Sequence, residues 1–321
     1  MFPLPQENYG NNGSGRAGIL IMGIFNRNYS TPGPGISKDA PKKKGLHLFY
    51  EIFFRKFWKL IQLNLLYILT LIPTFAVVFV LSGMISNRLG MSAETLSSLA
   101  GTTFSEVDAA RISITMDLLI RLFVSLFFTI FWGGGPVTAG FVYILRSFIW
   151  EEPVFLASDF FAHVKSNFKQ GLIAWIIDII VFTAMCYAYF FYGSLTNIFF
   201  YLKYVILVLA FFYTMLHLFL YHLLVTYKLS IGKLYKNSAL FALSSLPWCV
   251  LTIAITSFLI LICPAIGFTS QNEQLAVFFT TAVFILIVFL LFAVCGFIIE
   301  FNTCMQVKKY IKEDADVERN G

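Results

Sequence analysis

Six apolar runs divide the chain, each long enough to cross a hydrocarbon core of about 30 Å at about 1.5 Å per helical residue. They lie near Phe57–Ile85, Ile112–Trp132 with an extension beyond, Gly171–Gly193, Asn197–Tyr227, Leu246–Phe268 and Leu275–Glu300. A basic, amphipathic segment precedes each pair of runs: "FFRKFWKLIQLNLL", "DFFAHVKSNFKQGLIAW" and "LSIGKLYKNSALFAL". In all three a Lys or Arg is followed by Asn or Gln and then by apolar residues. Such a segment suits a helix lying flat at the interface before turning into the membrane, with lysines snorkelling to the headgroups. The pattern predicts an all-α, polytopic membrane protein: six transmembrane helices as three hairpins, with amphipathic cytoplasmic helices between them.

Charge sets the expected orientation. Lys42–Lys44, Arg55, Lys56 and Lys59 precede the first run, and Arg146, Lys165 and Lys169 follow the second. Lys228, Lys233 and Lys236 follow the fourth, and Lys308, Lys309 and Lys312 the sixth. The alternate connections carry fewer Lys and Arg, so the positive-inside rule puts both termini in the cytoplasm. Residues 1–44 read as a disordered or extended cytoplasmic arm, 45–306 as the six-span domain, and 307–321 as a short charged cytoplasmic tail. The stretch "STPGPGISKDAPKKKG" reads as a tether whose lysines touch anionic lipid, or as an arm docked on a partner. Met22 opens "MGIFNRNYS", so residues 1–21 read as a dispensable extension or a misassigned start.

Composition agrees with the pattern. Hydrophobic residues make up 58% of the chain and charged residues only 12%, about half the share expected of a soluble globular protein. The net charge of +6 is accounted for by basic residues on the cytoplasmic side, so nucleic acid is not an expected partner. Five cysteines lie in or beside apolar runs with no C-x-x-C spacing, which points to neither a metal site nor a redox pair. There is no G-x-S-x-G elbow, no H-E-x-x-H and no Walker loop, so neither an enzyme nor an ATPase is expected, and no cofactor.

Two blocks carry a resemblance. "LHLFYEIFFRKFWKLIQLNLLYILTLIP" has Asn64 ahead of the apolar run that ends in Pro73. "GPVTAGFVYILRSFIWEEPVFLASDFFAHVKSNFKQGL" joins Gly135-Pro136, Ala139-Gly140 and Arg146 to Asp159-Phe160-Phe161, Lys165 and Asn167. Together with "MGIFNRNYSTPGPGISKDAPKKKG", these blocks resemble the YesL-like family of Gram-positive bacterial membrane proteins over residues 22 to about 240. The resemblance implies an accessory membrane component beside a carbohydrate-uptake ABC transporter. The partners would then be permease subunits, an ATPase reached through them, and membrane lipid, in the bacterial plasma membrane.

Within the spans a few polar or flexible residues stand out. "FWGGGPVTAGFVYILR" sets Gly133, Gly134, Gly135 and Pro136 inside an apolar stretch, with Gly140 one turn further on. Without Gly-Lys-Ser/Thr this is no phosphate cradle; it reads as a hinge or kink redirecting the following helix along or toward the cytoplasmic surface. Asp178 lies about two turns into the third run, His222 at similar depth in the fourth, and His217 deeper. An Asp178–His222 pair is the expectation, serving as interhelical glue or as a proton or substrate relay. Asp117 and Arg121, four apart, read as an ion pair at the outer surface, or as a contact for a partner or an anion. Ser158 or Asp159 is expected to cap a helix whose Phe160, Phe161, Val164 and Phe168 form one apolar face, parked on the membrane or against a transporter. With Arg146, Lys165 and Asn167 these make up the candidate partner contacts.

The leading expectation is a noncatalytic accessory subunit that packs on the permease of a carbohydrate importer and stabilises or modulates it. A stand-alone small-solute permease, and a membrane sensor for a sugar-responsive regulator, stay open.

Overall fold

The computed structural model describes residues 45–89, 98, 105–269, 278, 281–282 and 285–320. By its contacts the chain divides into Met1–His47 and Leu48–Gly321. The arm assigned to residues 1–44, most of the connection after the first span, and residues 270–277 lie outside the described residues. The helices are α1 (Leu46–Leu89), α2 (Glu106–Phe131), α3 (Pro136–Ile149), α4 (Leu156–Ser166), α5 (Phe168–Gly193), α6 (Leu202–Thr226), α7 (Ile231–Ser244), α8 (Leu246–Thr269) and α9 (Phe292–Asn320). A 3-10 turn, Ile198–Tyr201, leads into α6, and a π-helical turn, Ile287–Leu291, leads into α9. No strand occurs among the described residues.

Among the described residues five helices are long and apolar enough to cross a membrane, and six if α7 and α8 form one span bent by 92°. The chain is thus a helical, membrane-embedded protein. The three basic segments do not behave alike. The first does not lie apart from its span: α1 runs unbroken for 44 residues, about 66 Å. Nothing between Leu46 and Pro73 interrupts it, so its basic turns simply extend the spanning helix. The other two are separate helices, because the sequence supplies breaks. Asn167 closes α4, its side-chain amide donating to the His163 carbonyl at 3.0 Å. Ser245 ends α7, and Pro247 in the first turn of α8 sits where a missing N–H costs nothing.

The glycine stretch breaks the second span completely. Gly133 and Gly135 take φ of +82° and +70°, which side-chain-bearing residues rarely adopt. Trp132–Gly135 forms the link, and α3 restarts at Pro136. Thr138 caps the restart, its Oγ1 accepting from the Gly134 N–H at 2.5 Å and sharing a 2.8 Å hydrogen bond with the Tyr67 hydroxyl. Of the expected redirection along or toward the cytoplasmic surface, the course along a surface does not occur. Eleven of the 14 residues of α3 are buried, and it packs among α4, α5, α6 and α9. Close approach depends on small residues: a Cβ on Gly171 would lie 2.8 Å from Pro136 Cα, and one on Gly140 2.7 Å from the Phe160 carbonyl oxygen. About 21 Å long, α3 is a central post rather than a span.

The π-helical turn at the head of α9 has a dedicated partner. Such a turn shifts the backbone ladder and leaves groups to be satisfied elsewhere. Asn64, fully buried on α1, donates to the Ile287 carbonyl at 3.3 Å and accepts from the Ala293 N–H at 2.7 Å. One carboxamide therefore serves both sides of the bulge. Asn64→Leu is expected to lower stability by roughly 2–6 kcal/mol, from about 1–3 for each of the two orphaned groups. Denaturant unfolding in micelles measures it; an unchanged midpoint would show that the bulge holds without Asn64.

Candidate functional site

Two buried acid–histidine groups meet inside the bundle. In the first, Asp178 on α5 is fully buried; its Oδ1 accepts from the Tyr213 hydroxyl at 2.7 Å and lies 2.9 Å from His217 Nε2 on α6. The His217 approach is close but not aligned as a hydrogen bond, so it is an electrostatic contact. The Trp132 indole stacks on the imidazole with centroids 5.9 Å apart, and Tyr213 flanks it. Trp132 is itself fixed by donation to Thr214 Oγ1 at 3.0 Å.

In the second, His222 Nδ1 and Glu300 Oε1 share a 2.6 Å hydrogen bond between α6 and α9. Cys304, one turn beyond Glu300, sets its Sγ 3.4 Å from the same carboxylate oxygen. All three residues are at most 3% exposed. A buried carboxylate is tolerable only when paired, and here each acid has its own histidine. The expected partnership of Asp178 with His222 is replaced: Asp178 meets His217, and His222 meets Glu300.

Between the two groups lies a cavity of about 40 Å³, bounded by His217, Tyr221, His222 and Glu300 with Tyr67 and Thr138. Gly133, from the broken span, also lines it. The space is polar enough and large enough for one or two waters. Chemically the arrangement sets two acid–histidine groups beside a cavity with room for water.

Glu300 ends an apolar run, so the sequence presents it as a boundary residue. A carboxylate one turn before a cysteine, opposite a histidine-bearing span, is the signal available for it.

The candidate partner contacts divide into internal and external groups. Arg121 bonds Asp117 at 2.8 Å as the spacing predicts, but its guanidinium also sits against Gly83 and 5.9 Å from the Phe79 ring centre, tying α2 to α1. Arg146 is buried, donating to the Val225 carbonyl at 3.3 Å and to Thr226 Oγ1 at 3.2 Å, with Tyr143 and Trp150 against its guanidinium. It is an internal clamp, not a surface for a partner. Glu151 and Glu152 point apart, to Arg55 and Arg146 respectively.

The Asp159 carboxylate accepts from the Phe155 N–H at 2.8 Å, closing the first turn of α4. The single apolar face expected there is split. Phe160 is fully buried against α3, whereas Phe161 and Phe168 are about half exposed, and Phe168 belongs to α5. Helix α4 therefore rests on α3 through Phe160 and Val164 and presents Phe161 and Lys165 outward.

His163 on α4 stacks on Tyr143 of α3, centroids 3.3 Å apart. Its pKa lies below the ordinary imidazole value, first because packing desolvates it, then because Arg146 is near; Asp159 partly offsets both. A depressed folded pKa means the undocked helix takes the proton first. The docking contribution is whole above about pH 6.5 and declines as pH falls below it. Amide exchange in α4, corrected for intrinsic rates, should therefore speed up relative to α6 as pH falls below about 6.5. His163→Gln should abolish that difference, and a pH-independent ratio in the parent protein would contradict it.

For the first acid group, His217→Leu leaves Asp178 with tyrosine neighbours only and is expected to cost about 3–5 kcal/mol in micellar unfolding. Asp178→Leu combined with His217→Leu should cost less than the two single changes added together; simple additivity would show the groups uncoupled.

No family model matches the chain, and no curated protein or solved structure does either.

Proposed function

We propose that the protein is a noncatalytic accessory subunit of a carbohydrate-uptake ABC importer, held in the bacterial plasma membrane with both termini in the cytoplasm. The observation that carries this reading is the size of the interior space. The polar cavity between the acid–histidine groups is about 40 Å³, against about 300–1,000 Å³ for pockets that take small molecules. The larger cleft among α2, α5 and α6, about 400 Å³, is walled by side chains such as Phe128, Phe182 and Phe211, and its Thr214 is already bonded to Trp132. Sugar recognition requires several placed polar groups, which that cleft does not offer. A third cleft, about 360 Å³, lies between the ends of α1 and α5 and carries Asn87, Arg88, Tyr187 and Ser194, so the reading rests on the two spaces within the bundle, which leave a sugar path to a bound partner.

On this reading the permease supplies the path and a partner ATPase the energy. This chain packs laterally on the permease through its apolar outer faces. Phe161 and Lys165 of α4, both exposed, and the N-terminal arm are the cytoplasmic contacts. Such a subunit biases the permease only by binding one of its states better than another. A second reading, a small-solute permease, draws support from the two buried acid–histidine groups and from the broken span beside them.

Affinity purification from native membranes in mild detergent separates these readings. Recovery of permease subunits and ATPase is expected, with Phe161→Ala plus Lys165→Glu reducing it severalfold. A lone protein that moves solute in liposomes would overturn the proposal in favour of the second reading, and recovery of a kinase would favour a sensor.

A further inference from the structure

The second acid–histidine group contains more than a paired charge. His222 Nδ1, Glu300 Oε1 and Cys304 Sγ lie within 4.8 Å of one another, an imidazole nitrogen, a carboxylate oxygen and a sulfur converging on one point. Glu300 and Cys304 share a face of α9 by their four-residue spacing, and His222 faces them from α6. Ligand edges in a tetrahedral zinc site, with bonds of about 2.0–2.3 Å, run to about 3.3–3.6 Å. The observed edges are 3.4 Å for sulfur to oxygen and 3.9 Å for sulfur to nitrogen. The 2.6 Å nitrogen–oxygen edge is a hydrogen bond, and opens once a metal takes the place of its proton.

We propose that His222, Glu300 and Cys304 form a three-ligand site for a divalent transition metal of the zinc class, clasping α6 to α9. A fourth ligand has somewhere to stand, because the 40 Å³ cavity is lined by His222 and Glu300 and accommodates a water. Charge balance favours the site inside a membrane protein. One divalent cation, one carboxylate and one thiolate sum to zero, with the histidine neutral. Without metal, the acid–histidine group shares one proton and the thiol keeps another, so binding releases two protons. The site does not depend on the proposed accessory role.

The test uses the full chain in detergent, stripped with a chelator and titrated with Co²⁺. One cobalt per chain is expected, with tetrahedral d–d bands, a thiolate-to-cobalt charge-transfer band, and affinity rising by about a hundredfold per pH unit while both protons are released. Cys304→Ser should abolish the charge-transfer band and weaken binding by about tenfold or more, whereas Cys186→Ser should leave both unchanged. No charge-transfer band in the parent protein, or its survival in Cys304→Ser, overturns the proposal. A second readout needs no variant: in the parent protein under mild denaturant, Zn²⁺ should slow alkylation of Cys304 and a chelator should restore it. Equal alkylation with and without Zn²⁺ also overturns it.

Discussion

A backbone amide or carbonyl released inside an apolar bundle has no bulk water to turn to, and this fold is organised around the places where that happens. The broken second span frees the Gly134 amide, and Thr138 takes it. The π-helical turn frees groups on either side of itself, and Asn64 bonds both. The end of α6 leaves the Val225 carbonyl, which Arg146 reaches from α3. Each irregularity is matched by one side chain from another turn or helix. Those matches fix how α1, α3, α6 and α9 sit together.

Helix α3 is what makes these matches possible. Because it starts inside the bundle, its Thr138 lies beside Tyr67 of α1 and its Arg146 lies at the end of α6. Its close contacts with α4 and α5 run through Gly140 and Gly171, where any side chain would collide with backbone. The break is therefore structural first: it turns a stretch too long for one crossing into a span and a buried post. The same break places Gly133 at the wall of the cavity that separates the two acid–histidine groups.

Those two groups follow a single electrostatic rule. A carboxylate deprived of water needs a partner that shares its burial, and Asp178 and Glu300 each have one on α6. His217 and His222 are five residues apart, so they leave the helix about 140° from each other and serve different neighbours. One helix thereby ties α5 on one side and α9 on the other, and a tyrosine and a cysteine complete the two sets.

Much of this was legible in the chain itself. The length of the apolar runs and the scarcity of charge established a helical membrane protein, since only helices or closed barrels satisfy their own backbone in lipid. "GGGP" announced a break and the spacing of Asp117 and Arg121 announced their bond, because each acts over four residues or fewer. Depth along the span matched Asp178 with His222, yet Asp178 meets the deeper His217. The choice rests on which face of α6 meets α5, a matter of helix packing. Glu300 looked like the end of a run, and Arg146 like a surface cation, until α9 and α6 closed over them. Local rules determined the helices, their breaks and their solvent. Tertiary packing decided which buried charge meets which, because burial and facing belong to several helices at once and are written in none of them.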